Sequence, residues 1–158
     1  MGRRLRSLVQ EPAIFFVTTS TINNKRLFND NYHLELVEKI LVTSAQNINI
    51  RLIAYAIMPS HLHFIAYFPN GGPQLSKFMH TIKGVIRRKI VGNRKIWQDR
   101  FDDLQLKSEE QFRIKINYIH NNPVKAGLSM APEDWPYSSA KAWVTRESDF
   151  LVFDPSEF

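Results

Sequence analysis

The sequence predicts an α+β fold: an antiparallel sheet covered by helices. Three observations predict it. Four short segments are rich in β-branched and aromatic residues and read as strands. Longer segments carry apolar residues at helical spacing. The two kinds follow one another as β-α-β-β-α-β, with a further helix after the last strand.

The elements follow in order. Ala13–Thr21, "AIFFVTTST", is the first strand. Asn29–Asn47 carries Tyr32, Leu36, Ile40 and Leu41 at helical spacing, with Asp30 as a cap, and reads as a helix. Ile50–Met58 and His61–Phe68 are two apolar strands joined tightly through Pro59 and Ser60, a hairpin. "NGGP", Asn70–Pro73, reads as a turn. Gln74–Val91 places Leu75, Phe78, Met79, Ile82, Val85, Ile86 and Ile90 on one side of an amphipathic helix with basic flanks. Ile96–Leu106 alternates and reads as the fourth strand. Ser108–Asn122 opens on a capping serine and two acids, and Pro123 is expected to stop it. A short helix is expected near Ser138–Trp143. The order is that of a ferredoxin-like sheet with helices on one face, plus an additional C-terminal helix that bears a tyrosine, Tyr118.

The chain, residues 1–158, reads as one domain, with a tail at 144–158 that has no assignable motif. Its composition is 44% hydrophobic and 12% aromatic, which argues against disorder. There is no cysteine, so disulfides and thiolate metal sites are excluded. No apolar run is long enough to cross a membrane. Glu11 and Pro12 interrupt any signal-peptide core, so the expected location is the cytoplasm. The net charge of +6 is concentrated. Between Lys77 and Arg100 lie Lys77, Lys83, Arg87, Arg88, Lys89, Arg94, Lys95 and Arg100 against Asp99 alone, while the tail after Met130 leans acidic. A localised cationic stretch is what contact with a phosphate backbone requires.

Two sites carry chemistry. His61 and His63 are two apart in a strand and project from the same face, with α-carbons about 7 Å apart. Their ring nitrogens can converge on one divalent cation, although a strand-start pair with no shared ligand is the simpler reading of the dipeptide spacing alone. Tyr118 and Asn122 are four apart and share a helix face. Together they can offer a phenol nucleophile and an oxygen ligand. A packing tyrosine and a helix-stop asparagine are the plainer alternatives. His33 and His80 sit within helix patterns and read as structural, and His120, two residues from Tyr118, falls on a different side of its helix.

These stretches, "AYAIMPSHLHFIAYF", "LSKFMHTIKG", "IWQDRF", "NYIHNNPVKAGL" and "WPYSSA", taken in this order, resemble the REP-associated tyrosine transposases, part of the HUH single-tyrosine, insertion-sequence 200-like superfamily. The resemblance runs from about Phe16 to Trp143. It implies a metal-dependent endonuclease and strand transferase acting on single-stranded DNA near hairpins. Tyr118 would be the nucleophile, forming a 5′-phosphotyrosine link and freeing a 3′-hydroxyl. His61, His63 and Asn122 would be the metal ligands, for Mg²⁺ or Mn²⁺. The partner would be single-stranded or hairpin DNA, and the protein a monomer or homodimer. Lys83, Arg87, Arg88, Arg94, Lys95 and Arg100 are the candidates for phosphate contacts. Trp97 and Phe101 interleave with them, and core packing is the favoured reading of both. Relatives commonly carry asparagine where this chain has Ser60, a change expected to alter how the site is oriented more than what it is. A relative that binds hairpin DNA or RNA without cutting, and a hydrolase using water, are the rival readings.

Overall fold

A computed structural model of the protein describes residues 6–145. The elements are β1 (Ala13–Ser20), α1 (Asn31–Asn47), β2 (Arg51–Ile57), β3 (His61–Phe68), α2 (Gly71–Val91), β4 (Asp102–Leu106), α3 (Glu109–Lys125) and α4 (Ala140–Thr145). Single 3₁₀ turns lie at Ile22–Asn24 and Pro132–Asp134. The sheet order is β2-β3-β1-β4, and each neighbouring pair is antiparallel. This is the ferredoxin-like arrangement expected from the sequence. Of the tail set apart at 144–158, residues 146–158 lie outside the described residues.

Strand alternation builds two cores. Phe15 and Val17 of β1, with Leu62, Phe64, Ala66 and Phe68 of β3, face α1 and α2. There they meet Leu34, Val37 and Leu41 from α1 and Leu75, Phe78 and Ile82 from α2. Fully burying each phenylalanine or leucine stabilises the fold by roughly 1.5–3 kcal/mol. Ile14, Ala54, Ala56, Ile65 and Leu106 point the other way, onto Phe112, Ile116 and Ile119 of α3. The two ferredoxin-like helices therefore share one face, and the added helix covers the other. His61 and His63 have the parity of Ile65 and so open onto the α3 side.

Three boundaries and the buried face of one helix differ from the sequence expectation. The fourth strand is shorter at its start. Trp97 bridges Thr21, but Asp102 then pairs with Thr18, so two extra residues bulge out between the two pairings. The α2 helix starts inside "NGGP". Gly71 and Gly72 form its first turn because the chain at Arg6–Glu11 crosses directly over them. A Cβ on Gly72 would sit 1.8 Å from the Arg6 carbonyl oxygen, so only glycine fits. Pro123 does not stop α3; the helix continues to Lys125 and Pro123 is buried. Beyond it, the N–H of Ala126 donates to the Asn122 carbonyl at 3.0 Å, and that of Leu128 to Pro123 at 2.9 Å. On α1 the buried stripe is Leu34, Val37, Leu41 and Ala45, and Tyr32 is exposed. Asp30 caps α1 as expected, accepting from the His33 N–H at 2.8 Å.

The "WPYSSA" segment covers the free edge of β2. The Ile57 N–H donates to the Tyr137 carbonyl, and the Ser139 N–H to Tyr55, at 2.8 and 2.9 Å. The Trp135 and Trp143 indoles donate to the Ile57 and Ile53 carbonyls at 2.9 and 2.8 Å. An edge that would otherwise recruit other strands is thereby closed. His120 bonds Ser139 Oγ at 2.8 Å, and burial pushes its imidazole down to about 4. It is a buried, neutral histidine tied to the β2 edge, on a different side of the helix from Tyr118, as its spacing implied.

Candidate functional site

Three elements meet on the α3 side of the sheet. β3 supplies His61 and His63, β1 supplies Phe16 and Thr18, and α3 supplies Lys115, Tyr118 and Asn122. The two imidazole rings are 4.7 Å apart between centroids. The His61 Nε2 and Asn122 Oδ1 atoms lie 3.2 Å apart. The Tyr118 ring is 5.3 Å from the His63 ring, nearly perpendicular to it. Because α3 runs on past Pro123, Asn122 keeps its helical position one turn from Tyr118 on the same face. The nucleophile candidate and all three ligand candidates thus come together within one chain.

Each histidine is held from behind. The Thr18 hydroxyl is 2.7 Å from His63 Nδ1, and the Ser60 hydroxyl is 3.1 Å from His61 Nδ1. With hydrogen on Nδ1, both rings donate to these hydroxyls and turn bare Nε2 atoms towards Asn122. That is how metal-binding histidines are usually oriented. The β1–β3 register sets the Thr18 contact, since Thr18 pairs directly with His63. Phe16 stacks on His63 at 6.0 Å with rings 13° from parallel.

The electrostatics favour neutral imidazoles. Burial lowers both histidines' basicity, and His63 falls to about 3, with the His61 and Lys115 charges adding to the effect. Neutral imidazole is the ligand form. His63 is only 3% exposed, yet its Nε2 has no hydrogen-bond partner among the described residues. A buried nitrogen of this kind calls for an explanation, and a cation shared with His61 and Asn122 supplies one. Among the described residues no group of three histidines, cysteines or carboxylates joins in. The donor set is two nitrogens and one amide oxygen, uncharged. It fits a divalent cation whose remaining positions are filled by water or phosphate oxygen. Tyr118 is 40% exposed and so open to a substrate.

The basic candidates divide. Lys83, Arg87, Arg88 and Arg100 line a cleft of about 790 Å³ between α2 and the start of β4, together with Arg6, His80, Trp97 and Phe101. Asp99, Asp102 and Asp103 also line it, so its charge is mixed. Arg94 and Lys95 lie outside it, and Lys95 pairs with Asp99 at 2.5 Å. Lys83 donates to the Gln98 carbonyl at 3.1 Å, and burial lowers its basicity. Arg87 donates to the Asn93 carbonyl at 3.1 Å. Arg88 and Arg100 are exposed. Trp97 packs in the core and donates to the Lys83 carbonyl at 2.9 Å, as expected. Phe101 lies under the Arg6 guanidinium at 4.0 Å. The cleft and the histidine site lie on opposite faces of the sheet but meet at β4, where Asp102 pairs with Thr18.

Phe16, Thr18 and Lys115 are site residues that sequence reasoning did not find. Lys115 had a readable signal, since it lies three residues before Tyr118 on the helix. Thr18 and Phe16 had none without the β1–β3 register.

Comparisons with known proteins show what this chain is similar to. The family model described as Transposase IS200 like matches residues 13–122. A REP-associated tyrosine transposase of Escherichia coli (strain K12) is 26% identical over 146 residues, covering 92% of this chain and 87% of that protein. A solved structure of a REP-associated tyrosine transposase bound to a REP hairpin superimposes with a TM-score of 0.74 at 24% identity, over 92% of this chain and 88% of that one. No helix among the described residues is long and apolar enough to cross a membrane.

Proposed function

Because this chain belongs to the IS200-like transposase family, we propose that it is a metal-dependent endonuclease and strand transferase that cuts single-stranded DNA beside a hairpin through a 5′-phosphotyrosine intermediate. The observation that carries this reading is the placement of the Tyr118 ring 5.3 Å from His63 inside the matched segment. The hairpin held by the solved relative supports a hairpin as partner.

Tyr118 Oη attacks phosphorus. The Oη–P bond forms and the P–O3′ bond breaks. The phenolic proton passes to water, and the departing 3′-oxygen takes a proton from water. Because the phosphodiester energy is kept in the tyrosine ester, the reverse step rejoins the strand to a 3′-hydroxyl without an external energy source. His61, His63 and Asn122 would hold Mg²⁺ or Mn²⁺. Held there, such a cation would supply positive charge to offset that of the phosphate. Thr18 and Ser60 fix the imidazoles, and Phe16 stacks on His63. All these groups belong to one chain, so a monomer suffices.

The function is tested on labelled single-stranded hairpins with unpaired arms, taken from the DNA flanking the protein's gene. Manganese should give a covalent protein–DNA adduct on a denaturing gel, and EDTA should remove it. Shifted DNA with no cleavage in either metal would favour the non-cleaving binder. Cleavage without an adduct would favour a water nucleophile.

The basic cleft is assigned to the phosphate backbone of the partner. Arg87→Ala together with Arg88→Ala should weaken hairpin binding and flatten the dependence of log affinity on log salt, by about 0.7–0.9 for each phosphate no longer neutralised. An unchanged slope would take both arginines out of the footprint.

A further inference from the structure

We propose that Lys115 is a catalytic residue of this site, its ammonium holding a non-bridging oxygen of the phosphate that Tyr118 attacks. The inference rests on the endonuclease reading above and adds a residue to it. Lys115 lies three positions before Tyr118 on α3, so the two share a face. Its Nζ stands 4.8 Å from the Phe16 ring centroid and 5.5 Å from that of Tyr118. Its charge is also felt at His63. The ammonium is thereby fixed beside the phenol and the imidazole pair together.

The charges around it say what it is for. Arg113, on the neighbouring stretch of α3, is paired with Glu109 at 2.6 Å, and Arg6 is paired with Asp103 at 3.0 Å. Among the described residues no carboxylate pairs with Lys115. It is half-buried over two aromatic faces, beside imidazoles and an amide that carry no negative charge. Cation–π contact with the two rings helps hold the ammonium in this place. Lys125 stands over the same Tyr118 ring at 6.0 Å, the register places one carboxylate on this face, Asp102 opposite Thr18, and a divalent cation at His61, His63 and Asn122 would add to the positive charge. The two lysines outnumber that carboxylate, so the face is net positive and suits an anion between Lys115 and that ligand set. A phosphodiester is such an anion, and its charge grows on the equatorial oxygens as Oη closes on phosphorus. Lys115 keeps its protons throughout. It acts by position and charge, and the proton exchanges remain with water.

Two arms test this. In the first, single-turnover adduct formation is compared for wild type, Lys115→Met and Lys115→Arg. The methionine variant should slow by on the order of 100-fold, the usual cost of one such donor, and arginine should restore most of the rate. Equal rates for methionine and wild type would overturn the proposal. Arginine as slow as methionine would overturn it too, because the role would then be proton transfer. The second arm uses Tyr118→Phe protein in EDTA, binding the same hairpins over a range of salt. Adding Lys115→Met should reduce the salt slope by about 0.7, one single-strand phosphate, whereas Lys39→Met, an exposed lysine on α1, should not. No change of slope with Lys115→Met would overturn the proposal and leave Lys115 as an aromatic staple. If wild type forms no adduct on any hairpin, the endonuclease reading falls, and the salt slope still decides whether Lys115 meets a phosphate.

Discussion

Tyr118→Phe is expected to abolish the covalent DNA adduct and to cut the cleavage rate by about 10⁴-fold or more, the scale seen when a covalent nucleophile is removed. The substitution takes away a single oxygen. The ring keeps its edge-on contacts with Phe16 and His63 at 5.9 and 5.3 Å, and Lys115 keeps an aromatic face to lie over. The residue is 40% exposed, so stability should change by no more than about 0.5 kcal/mol. Hairpin affinity, which we propose rests on the cleft, should stay near wild type. A thermal melt and a gel shift on the same preparation separate loss of chemistry from loss of fold. Residual cleavage at the wild-type rate would mean that the phenol is a packing residue and that water is the attacking group.

His63→Ala has the second largest expected effect, and it comes from a different part of the machinery. The substitution removes a buried Nε2 that has no hydrogen-bond partner among the described residues, together with the ring that Phe16 stacks on and Thr18 bonds. Manganese-dependent cleavage should fall by more than the roughly 10–100-fold that loss of an outer hydrogen-bond partner costs, and added manganese should not restore it. Thr18→Val, which keeps the shape but removes the hydroxyl behind Nδ1, should fall within that smaller range and be partly rescued by more metal. The two variants together read out a ligand and its support. Leaving the Thr18 hydroxyl unpaired in His63→Ala costs about 1–3 kcal/mol, so the melt must be recorded before the rate is interpreted. If His63→Ala cleaves as wild type does, the imidazole pair is not a metal site.

The sequence showed the site's parts more clearly than their arrangement. β3 begins at His61 and ends at Phe68, as its apolar run and the Pro59–Ser60 break indicated. The Asp30 and Ser108 caps were readable because capping is a local event between a side chain and the next turn's amides. His61 with His63, and Tyr118 with Asn122, were readable as same-face pairs because strand and helix periods are fixed by the backbone. What could not be read depends on contacts distant in sequence. Thr18 stands behind His63 because of a register between residues 45 positions apart. The bulge before β4 is set by where Trp97 and Asp102 meet β1 and the residue that follows it. Gly71 opens a helix instead of closing a turn because the chain at Val9 lies across it. Pro123 reads as a stop in any single-sequence view, yet burial of its ring and the bonds beyond it carry α3 to Lys125. That continuation holds Asn122 in line with Tyr118.

The most direct test is to form the adduct on a hairpin in manganese, digest it with protease and nuclease, and locate the nucleotide by mass spectrometry. A single modified peptide is expected, with a 5′-phosphoryl nucleotide on the Tyr118 oxygen. A nucleotide mapped to any other side chain, or cleaved DNA with every tyrosine unmodified, would contradict it.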